Sequence, residues 1–538
     1  MTSRLLVLNL LACVLVAEAA PSRPLSAEEL FRAAPLGEAR LSPDGQSLGV
    51  VVEDGIDSRS LVIYDLKDFS PLALRGSGEF DIAGFRWISN DKVVFSLAFD
   101  KMYTWGLYSA QVAHLGDYSP IDKYNLVTIV GIPESRPGRV LAWLTGTVGY
   151  QFKADMVVEL DADFKPRNKQ TMQRGDAIRD RVPMPDEGTP DGWWADQHGE
   201  IALCRSWSKG HFHLLRYVPA RKTWSEVPVA TEVMPMGMDY DDQCAWVVTY
   251  APAGGFALRR CHLDTGVLEA PVLQDPAYDI SNGHLCFSSA ARRLAGVIYQ
   301  QSKPRSAWFL KPYAVAQASI DKLHPDTDNV LADHDRADKK FVYMHTGAQH
   351  PGTHELLDLE AKKVRGLGDA APWLKDRPLH PVQPIYLKTR DGVALENYLA
   401  LPEGASPAHP VPLVVLAHGG PWVRDTGEFN PEVQFLVSRG YAVLQPNYRG
   451  SSGYAPAISR ERKYNFIRMH DDVTDATKAL LATGIIDPRR VAIMGGSFGG
   501  YLAVAGVSRE PGLYCCAITI CGVFDWKEQI EHFRKQMP

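Results

Sequence analysis

From about Leu41 to Trp373 the sequence repeats one plan: a short β-rich run, a tight polar turn, then another β-rich run. In Leu41-Ser42-Pro43-Asp44-Gly45 the proline presets φ and the glycine takes the left-handed position, and the turn leads into LGVVV at 48–52. LVIYDL at 61–66 reads as the next strand. Related units recur at 85–99, 193–207, 241–250, 284–299 and 341–359. They are divergent repeats, with no long amphipathic helix expected among them. A small antiparallel sheet cannot bury both of its faces alone, so repetition on this scale predicts a β-propeller in which blades stack on one another. At roughly 45–50 residues per blade the span holds about seven. One large β-sandwich, or two, is the competing arrangement.

Near Pro378 the pattern changes. RPLHPVQP (377–384) reads as a crossover, and IYLKTRDGVALENYLALP (385–402) as a hairpin around Asp391-Gly392. The runs VPLVVLA (411–417), YAVLQPN (441–447) and VAIMGG (491–496) lack polar alternation, as expected of strands buried on both faces of a parallel sheet. HDDVTDATKALLATG (470–484) predicts an amphipathic helix that Gly484 can end, and CCAITICGVF (515–524) a fourth strand. The expected organisation is therefore multidomain. An all-β propeller of about seven blades over 36–375 precedes a partial α/β-hydrolase, with a doubly wound, mostly parallel sheet, over 380–538.

With 538 residues, two or more folding units are expected in any case. The 57 basic and 63 acidic residues are spread along the chain, which leaves nothing to attract a nucleic-acid backbone. Arg4, the apolar stretch Leu5 to Val16 and Ala17-Glu18-Ala19 form a secretory leader pattern. Cleavage is expected after Ala19, which predicts a secreted or periplasmic protein with no stable membrane insertion afterwards. An uncleaved anchor, or lipid attachment through Cys13, is the alternative; the apolar run is shorter than the ~20 residues a bilayer crossing needs. The other cysteines, Cys204, Cys244, Cys261, Cys286, Cys515, Cys516 and Cys521, show no metal-ligand spacing. One or two bridges within 204–286 are conceivable, and core packing is expected for Cys515, Cys516 and Cys521. No cofactor or metal is implied.

Gly495-Gly496-Ser497-Phe498-Gly499 is a Gly-x-Ser-x-Gly pentapeptide directly after a buried strand and before the helix-like GYLAVAGVS (500–508). A serine on such a sharp turn projects its hydroxyl above the sheet, which makes Ser497 the candidate nucleophile. Acyl transfer also needs donors aimed at the developing oxyanion. The backbone N–H of Phe498 and that of Gly419 or Gly420, in the turn His418-Gly419-Gly420-Pro421, are the candidates. His418 precedes the serine and lies in that turn, which argues against its being the base.

HGGPW (418–422), NYRGSSGY (447–454), HDD (470–472), IDPRRVAIMGGSFGGY (486–501) and GVFDW (522–526), in this order and spacing, resemble the prolyl oligopeptidase family of serine peptidases, especially its acylaminoacyl-peptidase and dipeptidyl-peptidase-like branches. The resemblance is strong after Trp373 and weak before it. It implies hydrolysis of short peptides through an acyl-enzyme, with the propeller restricting access by large folded proteins. It also implies an Asp and then a His after the serine. Both are expected beyond Pro538, so this chain alone is expected to be nearly inactive. Asp525 and His532 occur in the right order, but His532 reads as an exposed helix position rather than a base. Arg449 and Trp422 lie on loops at strand ends, where either substrate contact or packing between domains would fit. A non-catalytic propeller binding protein and an esterase of the same fold are the competing functions.

Overall fold

The computed structural model describes residues 23–53, 59–75, 81–99, 103–145, 156–166, 172–173, 175–251, 255–455, 458, 465–529 and 531. The leader, Cys13 and His532 lie outside the described residues.

Seven antiparallel sheets follow one another along the chain, each built from consecutive strands: β1–β4 (residues 36–75), β5–β8 (81–122), β9–β12 (126–181), β13–β16 (189–226), β17–β20 (233–275), β21–β23 (284–308) and β24–β27 (328–369). This is the seven-bladed propeller that the repeats predict. Apolar residues on facing sheets fill the space between blades. Val51, Leu61 and Ile63 of the first sheet, for example, pack with Phe85, Val93 and Phe95 of the second.

The ring closes where β1 meets β24. The Leu41 N–H donates to Asp333 Oδ2 (2.7 Å), the Arg336 N–H to the Pro43 carbonyl (3.2 Å) and Lys340 Nζ to the Gly45 carbonyl (2.6 Å). Leu41, Leu48 and Val50 pack there against Val342 and Leu356. First and last sheets thus share a core without sharing a strand.

One expectation fails within the propeller. A thirteen-residue helix, Lys311–Leu323, joins the three-stranded sixth sheet to the seventh. Pro312 starts it, and Tyr313, Ala316 and Ile320, at helical spacing, are buried against Ala295, Ile298, Leu331 and Phe341. Its apolar stripe is only three residues wide, and it is lost among the apolar runs of the flanking strands.

An eighth sheet, of six strands, follows: β28 (Val382–Lys388), β29 (Ala394–Ala400), β30 (Val411–Ala417), β31 (Ala442–Pro446), β32 (Ile486–Gly496) and β33 (Cys516–Ile520), in the order β28-β29-β31-β30-β32-β33. β28 and β29 are antiparallel, and the remaining four run parallel. Before the propeller lies α1 (Ala27–Phe31) and within it α2, the helix Lys311–Leu323; α3 (Pro431–Val437), α4 (Phe466–Leu481) and α5 (Phe498–Arg509) pack on the six-stranded sheet. Leu413, Val415 and Ala417 of β30 face α4 and α5, while Leu416 faces Val433 and Val437 of α3. Burial on both faces explains the unbroken apolar runs. α4 begins four residues before the expected start at His470, because the Asn465 side chain accepts from the Arg468 N–H (3.1 Å) and caps it.

The cysteine expectations divide. Cys204, Cys244, Cys261 and Cys286 are buried free thiols, so no bridge forms among them. Cys515, Cys516 and Cys521 are exposed rather than packed in the core. β33 pairs with β32 alone; its Ala517 packs against the core, whereas Cys516, Ile518 and Ile520 alternate onto a face that no described residue covers.

The shared core at ring closure sets the propeller's stability. Leu48→Ala is expected to lower the free energy of the propeller's unfolding transition by about 2–5 kcal/mol. Leu72→Ala, at a half-exposed position, is expected to change it by less than ~0.5 kcal/mol. Urea melts followed by tryptophan fluorescence check both; equal effects would contradict this closure.

Candidate active site

Ser497 joins β32 to α5 with φ 53° and ψ −117°, a backbone conformation that side-chain-bearing residues rarely adopt. The turn is this sharp because α5 starts directly against β30. A side chain at Gly499 would fall on the Ala417 carbonyl, and one at Gly495 would lie 2.5 Å from the Gly499 carbonyl carbon and 2.6 Å from the Ala417 oxygen. The Ser497 N–H donates to the Ile520 carbonyl (2.8 Å), which ties the turn to β33. Its side chain is exposed, and among the described residues nothing hydrogen-bonds to Oγ.

The candidate oxyanion donors are brought to that serine. Phe498 is the first residue of α5, where the helix offers its N–H no partner. Its ring is fully buried among Phe466, Tyr501 and Trp526, which fixes the backbone. Gly419 and Gly420 follow β30. A Cβ on Gly419 would lie 3.4 Å from Ser497 Cβ, so this loop runs alongside the serine. Gly420 has φ 106°, and a Cβ there would sit 2.6 Å from the Trp422 nitrogen, so the turn needs glycine.

His418 is built into the loop rather than presented to the serine. Its Nδ1 lies 2.8 Å from the Gly419 carbonyl oxygen, its Nε2 2.9 Å from Ser451 Oγ, and its ring stacks on Tyr448 at 4.3 Å. Burial lowers its pKa to about 4. Asp525 likewise has a structural task, accepting from the Glu528 N–H (2.9 Å) at the start of a short helical turn.

Arg449 is a packing residue. It is buried and donates from its backbone N–H (2.9 Å) and its Nε (2.8 Å) to Asp472 Oδ2, and through a terminal nitrogen to Asp391 Oδ2 (2.7 Å). The 447–454 loop is thereby pinned to α4 and to the β28–β29 hairpin. Trp422 is half exposed just after the 418–420 loop.

Sequence reasoning missed the group that joins this loop to the propeller. Arg424, four residues past Gly420, donates to the Gln301 carbonyl of the propeller (2.9 Å) and pairs with Glu396 of β29 at 3.4 Å; both side chains are more than nine-tenths buried. Glu396 also accepts from the Tyr398 and Tyr278 hydroxyls. Tyr278 of the propeller forms an isolated β-bridge with Tyr454, whose ring the Arg424 guanidinium covers at 4.2 Å. The signal was a lone glutamate inside the apolar run ALENYLA.

Residues 427–537 match the prolyl oligopeptidase family. The segment that carries Ser497 is a prolyl oligopeptidase family domain. Among curated proteins, dipeptidyl aminopeptidase BIII of Pseudoxanthomonas mexicana is 36% identical over 192 residues, 34% of this chain and 28% of that protein. Dipeptidyl peptidase family member 6 of Caenorhabditis elegans is 32% identical over 182 residues, 30% of this chain and 25% of its own length. The matched stretch is thus about a quarter of each relative. Across the propeller as well, the chain is similar in fold to a Mycobacterium tuberculosis puromycin-hydrolyzing peptidase, with a TM-score of 0.69 at 18% identity over 95% of this chain and 82% of that one. Acylaminoacyl peptidase from Pyrococcus horikoshii gives 0.59 at 15% identity, over 91% of this chain and 77% of that one. The prolyl oligopeptidase domain and its propeller therefore form the architecture that the sequence resemblance implied.

Beside Arg424, burial pushes the Asp425 carboxyl up to about 7. The folded protein then keeps a proton that the unfolded chain releases near an ordinary carboxylate value of about 3.9. The stability tied to Asp425 is full below that value and is lost as pH rises towards 7. Asp425→Asn removes this titration, so the variant is expected to lose less stability between pH 5 and pH 8 than the parent and to be at least as stable at pH 8. Urea melts at both pH values check this, and parallel pH profiles would contradict it.

Proposed function

We propose that the protein is a serine peptidase acting on short peptides through an acyl-enzyme on Ser497. The observation that carries this reading is the serine on its strained strand-to-helix turn, with the 418–420 loop alongside it. Ser497 Oγ attacks the scissile carbonyl carbon, and the carbonyl oxygen gains negative charge. The N–H of Phe498 and that of Gly419 or Gly420 receive this charge. Collapse of the tetrahedral intermediate expels the amine as it takes a proton, and water then releases the acyl group by the same route in reverse.

The proton transfers need a histidine oriented by a carboxylate. No described histidine bonds to Ser497, and the order serine, acid, base assigns this pair to sequence after Pro538. Without it the 538-residue chain is expected to show only the residual rate that donors and binding supply, on the order of 10⁴–10⁶ below a complete triad. Contact of the oxyanion loop with the propeller, through Arg424 and the Gln301 carbonyl, supports a site reached only by short, unfolded peptides. Related names in the family point to removal of dipeptides or acylated residues from amino ends.

A panel of peptides and esters, tested on this chain and on a form extended by an Asp- and His-bearing hydrolase segment, separates the claims. The extended form is expected to cleave peptides and to lose at least about 10³-fold in kcat on Ser497→Ala, whereas the same substitution in the 538-residue chain changes little. Turnover of esters alone would end the peptidase reading. Full activity of the 538-residue chain would end the assignment of the base.

The leader pattern supports export, to the periplasm or outside the cell. Amino-terminal sequencing of the exported protein is expected to begin at Ala20; a retained leader would contradict it.

A further inference from the structure

Three side chains of metal-ligand type converge in the seventh propeller sheet, in a different domain from Ser497. His324 follows α2, His345 lies on β25 (Lys340–Gly347) and Glu355 on β26 (His350–Asp358). Both imidazole Nε2 atoms approach one carboxylate oxygen, Glu355 Oε2, at 2.8 Å from His324 and 3.1 Å from His345. The two rings lie 4.1 Å apart, and one donor atom from each residue falls within 4.8 Å of the others.

The neighbouring hydrogen bonds fix which atom of His345 faces the cluster. Asn329 turns its NH2 group towards two acceptors, Asp321 Oδ1 (2.9 Å) and the His324 carbonyl (3.0 Å). Its Oδ1 therefore points the other way and accepts from Thr327 Oγ1 (2.7 Å) and from His345 Nδ1 (2.7 Å). Nδ1 must carry a proton, so in neutral His345 the buried Nε2 is a bare lone pair directed at a carboxylate oxygen. Two acceptors at that separation repel unless a cation stands between them. A proton or a metal cation could stand there, and the open side of the cluster leaves room for the latter's water ligand.

We propose that His324, His345 and Glu355 bind one divalent transition-metal cation of the zinc class, with Asn329 holding His345 in the ligating tautomer. Two imidazoles and a carboxylate, with a solvent position left for water, are a recurrent donor set for Zn²⁺; Mg²⁺ and Ca²⁺ favour sites made of oxygens. At ligand distances of about 2.0–2.2 Å, tetrahedral donors stand roughly 3.4 Å apart, so the cluster needs to open by only a few tenths of an ångström. The carboxamide behind the imidazole is the supporting contact that such sites use to orient a ligand. The ion would fasten the end of α2 to β25 and β26 of the sheet that closes the ring. Spacing gave no hint of it, because the ligands come from three separate elements.

Tag-free protein stripped with a chelator and titrated with Co²⁺ tests this. One saturable equivalent is expected, with the visible absorption of four- or five-coordinate Co²⁺, displaced by Zn²⁺, and Zn²⁺ is expected to raise the melting temperature. His324→Ala, at a partly exposed position, and Glu355→Gln are each expected to weaken Co²⁺ binding at least about tenfold and to abolish the thermal shift. No saturable Co²⁺ binding by the parent protein would overturn the site and leave a protonated His345–Glu355 pair. Undiminished binding in both variants would also overturn it, by placing the ion elsewhere.

Discussion

The contact between the start of α5 and the end of β30 determines the geometry of the candidate active site. Because residue 499 has no side chain, the helix begins against the Ala417 carbonyl. The preceding turn must then fold back within a single residue, and that residue is Ser497. The next residue after Ala417 opens the 418–420 loop, so one close approach places both the serine and the candidate oxyanion donors. The strain at Ser497, on the order of 1–3 kcal/mol, is held by the residues that flank it. Phe498 is locked in an aromatic cluster behind it, and Ile520 accepts its N–H in front.

A second constraint couples this loop to the propeller. The Arg424–Glu396 pair is buried at the boundary between the two domains, where removing either partner would strand a charge at a cost of several kcal/mol. Such a pair adds little net stability over an apolar contact, but it admits few alternative arrangements. It fixes the candidate oxyanion loop relative to the Gln301 strand end and to the Tyr278–Tyr454 bridge. The propeller is thus connected to the loop beside Ser497 by specific bonds, and a shift of one domain would be felt at the other.

The sequence disclosed those features that depend on local pattern. The β-run repeats implied stacked blades, the apolar runs at 411–417 and 491–496 a two-sided parallel sheet, and the pentapeptide around Ser497 a strand-to-helix turn. What escaped depends on distant partners. α2 resembles a strand-flanking apolar run unless the packing of Tyr313 and Ile320 is known. Cys516 and Ile518 read as core until β33 is seen with one uncovered face. Glu396 and Arg424 lie 28 residues apart, and His324 reaches the β25–β26 hairpin from the end of α2; no spacing rule brings either set together. Arg449 stayed ambiguous for the same reason, since its two carboxylate partners come from a hairpin and a helix on either side of it in the chain.

The central claim is that Ser497 and the loop at Gly419-Gly420 form one acyl-transfer site. A crystal structure with a peptidyl boronic acid tests it most directly. The account predicts a tetrahedral boron bonded to Ser497 Oγ, with one boronate oxygen roughly 2.7–3.1 Å from the N–H of Phe498 and from that of Gly419 or Gly420. An adduct on another residue, or a boronate oxygen turned away from both donors, would contradict it.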